Sequence, residues 1–211
     1  EWAYYFCDGC PLGYSAIGGQ TLNPYGRKIF ETGGSSSGSG VSVAANYAVA
    51  AVGTETSGSI LSPSSKNSVV GLKPTIGLLS RTGIVPISST LDTPGPMTKN
   101  VMDNAIFIAA MAGSDVEDAS TLNVLSTVDY LKDLNTSTMK GKRLGVMRDL
   151  LSDSIYKKNI ELLQKAGAII VEFEPIQLQL DGFLTLLNID MKYDLPKYLS
   201  TYADKCLKIK S

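Results

Sequence analysis

The sequence predicts an α/β fold, and the clearest sign is a strand, a helix and a second strand at 142–174. The apolar runs RLGVMRD and AIIVEFE flank a helical pattern carried by Tyr156, Ile160 and Leu163, and Pro175 ends the second run. Strands separated by one helix usually pair in parallel. The chain of 211 residues is 44% hydrophobic and 18% charged, which supplies enough apolar sequence for a sizeable core.

The first half of the chain alternates between turn-rich and apolar segments. Residues 1–40 are rich in Gly, Ser, Tyr and Pro and predict loops. The run VSVAANYAVAAV at 41–52 has small or apolar residues on every face, which predicts a helix buried nearly all round. NSVVGLKPT predicts a short buried strand that Pro74 stops, and the residues of 77–97 predict turns.

Two further helices are predicted. Apolar residues recur at the helical period over 100–112, and Gly113 closes this pattern. A second amphipathic pattern covers 183–203, where we expect Pro196 to kink or end the helix because proline lacks the N–H of the helical ladder.

The charge balance disfavours two classes of partner. With 19 Lys and Arg against 20 Asp and Glu, the chain has no basic surplus that would bind nucleic acid or an anionic membrane surface. All apolar runs are shorter than the roughly 18 residues that span a bilayer, and the start carries no targeting signal. Because the chain begins with Glu1 rather than Met, we expect its natural amino terminus to lie further upstream.

Cysteine and histidine usage bounds the chemistry. Three cysteines are too few for a disulfide framework, which favours a reducing compartment and a cytoplasmic location. Cys7 and Cys10 have the CxxC spacing, but a zinc site needs two more ligands, so we interpret them as free thiols in a turn and expect no metal and no cofactor. The complete absence of histidine excludes Ser-His-Asp and Cys-His catalysis within this chain.

The stretch GGSSSGSG at 33–40 has three interpretations. A flexible linker is disfavoured because the stretch runs directly into an apolar segment of the same core. A phosphate-binding loop is disfavoured because the stretch lacks lysine and follows no strand pattern. The third interpretation is catalytic: a second motif, TETSGSI at 54–60, lies beyond the apolar segment, so two hydroxyl-bearing loops can face one pocket.

Five motifs in order resemble those of the amidase signature family of serine hydrolases. They are GGQTLNPYGRK, GGSSSGSGVSVAAN, VAAVGTETSGSILSPSS, VGLKPTIGLLSRTGIVPISSTLDTPGPM and MKGKRLGV, and they cover nearly all of 1–148. The resemblance implies a mixed central β-sheet covered by helices on both faces. It also implies that 1–211 is part of a single amidase domain, with the catalytic core at 1–113 and a variable part at 141–211.

The resemblance implies a Ser-Ser-Lys triad. Ser59 matches the nucleophile, and Ser35 matches the bridging serine, which follows a cis peptide bond in the family. Thr56, Ser57 and Gly58 match the backbone N–H donors of the oxyanion hole. The family lysine belongs to a motif upstream of this chain, so we expect these 211 residues to be the centre of an amidase and to be inactive alone.

The expected substrate is a small-molecule amide or a short peptide amide. Leu61 stands where many members have an arginine that can pair with a substrate carboxylate, which favours a neutral acyl group. A glutaminase component of a tRNA-dependent amidotransferase and a non-catalytic amidase-like scaffold remain alternatives, and homo-oligomerisation stays open. We expect structural roles, within turns or between loops, for Ser36, Ser37, Ser39, Glu55, Lys73, Arg81 and Asp92.

Overall fold

The computed structural model of the chain describes residues 9–123, 129–132, 134, 138–176 and 179–203. The chain divides into two compact units, of which the larger comprises Glu1–Leu131 and Gly182–Ser211 and the smaller comprises Lys132–Asp181. The assignment of all 211 residues to one amidase domain remains a prediction.

The elements are mostly short and are joined by long loops. In chain order they are β1 (Tyr14–Ser15), β2 (Gly19–Gln20), α1 (Ser37–Ala44), β3 (Ala50–Glu55), α2 (Leu61–Lys66), β4 (Val70–Gly71), β5 (Thr93–Thr98), α3 (Val101–Met111), β6 (Arg143–Met147), α4 (Ser154–Lys165), β7 (Ile169–Phe173) and α5 (Phe183–Tyr202). Single 3-10 turns lie at Ala119–Thr121 and Asp149–Ser152.

The main sheet of the larger unit is antiparallel, with the strand order β3, β5, β4. β5 is the central strand and pairs with β3 along its whole length, from Thr93 opposite Glu55 to Thr98 opposite Ala50. Helices α1 and α3 both pack against this sheet. Its core includes Ile60 and Met97, whose side chains are fully buried.

The turns predicted over 77–97 are wrong at the end of that range, where TPGPM belongs to the central strand β5. Proline is rare inside sheets since it cannot donate to the ladder. The carbonyl of Pro96 accepts from the N–H of Leu72 at 3.1 Å, so it faces the β4 edge. The nitrogen and oxygen of one residue lie on the same edge of an antiparallel strand, so the missing N–H also falls on that side. β4 is only two residues long, and the ladder to β3 is unaffected.

The helix predicted over 41–52 is wrong in its second half. α1 ends at Ala44, the chain turns through Asn46 with a left-handed φ of 62°, and β3 begins at Ala50. Small apolar residues suit a buried helix and a buried strand alike, so their composition cannot show where one element gives way to the other.

In the smaller unit the strand, helix and strand predicted at 142–174 are confirmed. β6 and β7 pair in parallel, residue by residue over both strands. α4 lies between them in sequence and begins after Asp153, whose carboxylate accepts from the N–H groups of Ile155 and Tyr156 at 2.9 and 2.8 Å.

The helix predicted over 100–112 is confirmed as α3, whereas Pro196 does not end the last helix. α5 continues through this proline to Tyr202. One N–H is missing from its ladder. On either side of the proline, Asp194 accepts from Ser89 N and Tyr198 donates to Gly83 O, so the helix is fixed to the loop before β5. None of the helices in the described part of the chain has the length and hydrophobicity needed to cross a membrane.

The interpretation of the CxxC cysteines as free thiols is wrong for Cys10, which is disulfide-bonded. Cys7 and Cys206 lie outside the described residues. A count of cysteines cannot reveal a single bridge, because bridging depends on the distance between two Cα atoms in the fold.

Candidate active site

The peptide bond between Gly34 and Ser35 is cis. Ser35 immediately precedes the turn that opens α1, and this residue is only 5% exposed. Gly33 has a left-handed φ of 63°, and a Cβ at this position would lie 2.8 Å from the backbone nitrogen of Pro63 in α2. The first glycine of GGSSSGSG is therefore required both by its φ and by the close approach of the first turn of α2.

The serines that follow Ser35 attach this loop to β3. The hydroxyl of Ser36 donates to Thr54 O and accepts from Thr54 N, both at 3.0 Å. Ser39 Oγ donates to Val52 O at 2.8 Å. The expectation that these hydroxyls satisfy backbone groups is confirmed, although the groups belong to β3 and not to the turn itself.

Ser59 lies in the connection from β3 to α2 and is 8% exposed. Its carbonyl accepts from the N–H of Ser36 at 3.1 Å, so the loop that carries Ser35 and the loop that carries Ser59 lie side by side. The structure thus brings together the two loops that the sequence singles out, through a hydrogen bond between their backbones.

Glu55 orders the segment that follows Ser59. This residue is 4% exposed, and its Oε2 accepts from the N–H groups of Ile60 and Leu61 at 2.8 and 3.0 Å. These charge-assisted bonds satisfy two donors at the start of α2 and confirm the structural role expected for Glu55. The N–H groups of Ile60 and Leu61 are consequently not available to a ligand.

Unlike the N–H groups of Ile60 and Leu61, those of Gly58 and Ser59 are not bound by Glu55. Within the described residues neither donates a hydrogen bond, and the same holds for the hydroxyls of Ser35 and Ser59. The carbonyl of Gly58 is held by Ser62 N at 2.7 Å, which fixes the local backbone. Gly58 has a φ of 85°, and a Cβ there would meet no atom within 4 Å, so this backbone borders open space.

Asp92 connects the segment before Ser59 to the loop that precedes β5. Its Oδ1 accepts from Thr56 Oγ1 at 2.5 Å, and its Oδ2 accepts from the N–H groups of Ile87 and Ser88 at 2.8 and 2.9 Å. Burial raises the pKa of Asp92, and these three hydrogen bonds oppose that rise. The expected role of Asp92 in joining the loops is confirmed.

Arg81 lies at the start of the same loop, which precedes β5, and links it to Asp118. Its guanidinium pairs with Asp118 through two bonds of 2.9 Å and also donates to the carbonyl of Ser89. Hydrogen bonding to Arg81 lowers the pKa of Asp118, and the same pairing raises the pKa of Arg81. The expected role of Arg81 is confirmed. Lys73 Nζ binds only the carbonyl of its neighbour Pro74, so Lys73 does not join loops in the described part of the chain.

Two carboxylates on α5 were missed in the sequence. Asp190 Oδ2 accepts from Ser88 Oγ at 2.5 Å and from Thr90 N at 3.3 Å, and Asp194 Oδ2 accepts from Ser89 N at 2.7 Å. Burial raises the pKa of Asp190, but the bonds from Ser88 and Thr90 outweigh it and lower the pKa below its ordinary value. The i, i+4 spacing of the two aspartates indicates one helix face, but nothing in the sequence shows which loop this face meets.

A cavity of 370 Å³ lies between α5 and the segment 81–92. Its walls include Arg81, Ile84, Asp92, Asp194, Tyr198 and Tyr202. The described residues contain no group of three or more Cys, Asp or Glu side chains placed to hold a metal ion.

Comparison with known proteins finds relatives over most of the chain. A family model described as "Amidase" matches residues 10–210. A probable amidase of Arabidopsis thaliana is 43% identical over 174 residues, which cover 81% of this chain and 33% of the relative. A component of the glutamyl-tRNA(Gln) amidotransferase of Ruegeria sp. is 40% identical over 165 residues, covering 73% of this chain and 33% of that relative.

Among solved structures, the native peptide amidase of Stenotrophomonas maltophilia superposes with a TM-score of 0.83 at 42% identity, covering 94% of this chain and 42% of that one. This likeness confirms the α/β amidase signature fold that the sequence predicts. The chain spans about a third of the length of the curated relatives that it matches.

Proposed function

The chain belongs to the amidase family, and from this premise we propose that it carries the nucleophile of an enzyme that hydrolyses a carboxamide C–N bond. The observation that supports this most is the pairing of the two loops through Ser36 N and Ser59 O. It sets two nearly buried serines, Ser35 and Ser59, on adjacent backbones, while their hydroxyls donate to no other described residue.

In the proposed first step, Ser59 Oγ attacks the carbonyl carbon of the amide. Its proton passes to Ser35, which gives its own hydroxyl proton to a neutral lysine outside these 211 residues. The negative charge that develops on the carbonyl oxygen is stabilised by backbone N–H groups of the segment Thr56, Ser57, Gly58 and Ser59. The donors of Gly58 and Ser59 are the strongest candidates, since those of Ile60 and Leu61 are occupied by Glu55.

The tetrahedral intermediate then collapses to an acyl-enzyme. The C–N bond breaks, the leaving nitrogen takes a proton from Ser35, Ser35 recovers a proton from the lysine, and ammonia or an amine departs with the lysine neutral again. Water attacks the ester of Ser59 by the same route in reverse, so the products are a carboxylic acid and regenerated Ser59.

We propose a peptide amide, or another neutral amide, as the substrate. The 42% identity to a peptide amidase supports this choice. Leu61 supports it as well, because no cation at that position can pair with a substrate carboxylate. The second candidate is a glutaminase that passes ammonia to partner proteins, which is favoured by the 40% identity to components of glutamyl-tRNA(Gln) amidotransferases.

Ammonia release distinguishes these candidates. The polypeptide of the full reading frame is assayed with N-acetyl-L-phenylalaninamide and with glutamine, and Ser59→Ala is compared with Ser65→Ala, an exposed serine of α2. We expect the amide to be hydrolysed without any partner, and Ser59→Ala but not Ser65→Ala to abolish the reaction. Glutamine hydrolysis that requires partner proteins supports the second candidate, and hydrolysis of neither compound supports the scaffold.

A further inference from the structure

We propose that the cavity between α5 and the segment 81–92 binds the side chain of the amino acid whose carboxamide is cleaved, and that it selects an uncharged aromatic or large apolar side chain. This inference rests on the proposed function and names the specificity pocket of the same site. The volume of 370 Å³ lies within the range of small-molecule sites.

The position of the cavity connects it to Thr56, in the segment that leads to Ser59. Asp92 lines the cavity, and its carboxylate binds Thr56, which precedes Ser59 by three residues. A narrow cleft of 20 Å³ lies on the same path, because its walls include Thr56 together with Arg81, Ile84 and Asp92 of the larger cavity. We infer that a substrate whose carbonyl reaches the segment 56–59 places its neighbouring side chain along this path.

The charges that border the cavity are largely satisfied within the protein. Arg81 is paired with Asp118 by two bonds of 2.9 Å. Asp92 accepts three hydrogen bonds, and Asp194 accepts one from Ser89 N. A charged ligand would have to break these contacts or leave its own charge unpaired, which costs more than the binding of a neutral group.

Two charged side chains of the lining have neither an ion pair nor a side-chain hydrogen bond among the described residues, and they have opposite signs. They are Glu117 and Lys197. Their charges cancel, so they add no net preference for an anion or a cation. Arg81 and Asp118 cancel in the same way, so the charge that remains on the lining is that of the hydrogen-bonded carboxylates Asp92 and Asp194, which disfavours an acidic side chain.

The remaining wall is apolar and aromatic. Ile84 and Pro86 face the cavity from the loop, and Tyr198 and Tyr202 face it from α5. The two tyrosine rings lie 5.0 Å apart between centroids at an interplanar angle of 39°. Rings in this arrangement offer both faces and edges to a third ring, which favours an aromatic side chain over a small one.

Two neighbouring residues of α5 provide a matched test. The hydroxyls of Ser200 and Thr201 both donate to the carbonyl of Lys197, at 2.7 and 3.0 Å. Only Thr201 lines the cavity. Thr201→Trp and Ser200→Trp therefore lose the same kind of bond and gain the same indole, but only the first indole fills the cavity.

The experiment measures kcat/KM for N-acetyl-L-phenylalaninamide and N-acetylglycinamide with the polypeptide of the full reading frame. We expect the wild-type protein to prefer the phenylalanine amide at least tenfold. Thr201→Trp should reduce kcat/KM for this amide at least tenfold and leave that for the glycine amide within twofold, whereas Ser200→Trp should change neither. Circular dichroism and the urea midpoint establish that both variants are folded.

Fluorophosphonate labelling of Ser59 distinguishes a failure of the specificity pocket from a failure of the proposed function. If Ser59 is labelled but the wild-type protein hydrolyses both amides equally, or Thr201→Trp slows both equally, the specificity pocket is refuted and the proposed function stands. Absence of both labelling and hydrolysis refutes the function. Calorimetric binding of N-acetyl-L-phenylalaninamide then tests the pocket: it should be seen with Ser200→Trp and lost with Thr201→Trp, and equal binding by both variants would refute it.

Discussion

The hydroxyl of Thr56 donates a 2.5 Å hydrogen bond to the buried carboxylate of Asp92, across 36 positions of sequence. The other oxygen of Asp92 accepts from Ser88 N, and the hydroxyl of Ser88 donates to Asp190 on α5. The segment before Ser59 is therefore joined to α5 through one loop and two carboxylates, those of Asp92 and Asp190. We expect this network to position the proposed oxyanion donors, while the side chains of Thr56, Asp92 and Asp190 take no part in the chemistry itself.

Thr56→Val tests this connection. Valine has nearly the shape of threonine but lacks the hydroxyl, so one oxygen of the buried Asp92 carboxylate loses its partner. We expect a loss of about 2 kcal/mol in the free energy of unfolding, since an unsatisfied buried acceptor costs about 1 to 3 kcal/mol. We also expect kcat to fall at least tenfold with little change in KM. Thr56→Ser retains the hydroxyl and should restore most of kcat, and equal kcat values for the two variants would contradict a positioning role.

Glu55→Ala is expected to disorder the start of α2. It removes the acceptor of the Ile60 and Leu61 N–H groups and leaves both donors unsatisfied. We predict a loss of about 3 kcal/mol in the free energy of unfolding. Glu55→Gln keeps one oxygen that can accept both bonds, so its loss should be less than half as large. Urea titration of both variants measures this difference, and a Gln variant as unstable as the Ala variant would show that charge matters more than the acceptor geometry.

Gly33→Ala should be strongly destabilising, whereas Gly38→Ala should not. A Cβ at Gly33 would approach Pro63 N at 2.8 Å in a left-handed conformation, while a Cβ at Gly38 in α1 would meet no atom within 4 Å. We expect a loss of about 1 to 3 kcal/mol for the first variant. The second should gain about 0.5 to 1 kcal/mol because alanine is the better helix former. Thermal unfolding of the two variants measures both values, and similar melting temperatures would contradict the close approach of the two loops.

Asp118 should contribute a pH-dependent part of the stability. Its pKa in the folded chain lies below the ordinary value of 3.8, chiefly because Arg81 binds the charged form. The folded state therefore binds fewer protons than the unfolded state between the two pKa values. The contribution of Asp118 is present above about pH 4 and is lost progressively as the pH falls below this value.

Asp118→Asn removes this contribution. Near pH 7 we expect the variant to lose about 3 kcal/mol in the free energy of unfolding, because the partly buried Arg81 loses its counter-charge. The difference between wild-type and variant proteins should shrink as the pH falls from about 4 to about 2. Urea unfolding at several pH values gives this difference directly, and a gap that stays constant with pH would contradict the assignment.

Some secondary-structure elements could be predicted from the sequence and others could not, for physical reasons. Helical periodicity was sufficient for α3 and α4, and short apolar runs with clear ends were sufficient for β6 and β7. It failed over 41–52 because nearly every side chain is small or apolar, and the helix-to-strand change depends on one left-handed residue, Asn46. It failed for β5 because Pro94 and Pro96 suggest turns, and only the pairing partners show which edge of the strand they face.

The residues of the candidate site were likewise predictable only in part. Family motifs located Ser35 and Ser59, and the expected cis bond precedes Ser35 in the structure. Asp190 and Asp194 could not be assigned from sequence, since they act on a loop about 100 residues away. The cavity beside α5 was equally hidden, because its walls come from segments whose proximity only the fold determines.

The most direct test of the central claim is the mass of the full reading-frame protein after reaction with a fluorophosphonate and digestion. We predict a single adduct on the peptide that contains Ser59, absent from Ser59→Ala and retained in Ser65→Ala. This result would establish Ser59 as an activated nucleophile. An unlabelled Ser59 in an intact, folded protein that includes the catalytic lysine would contradict the account and favour a non-catalytic scaffold.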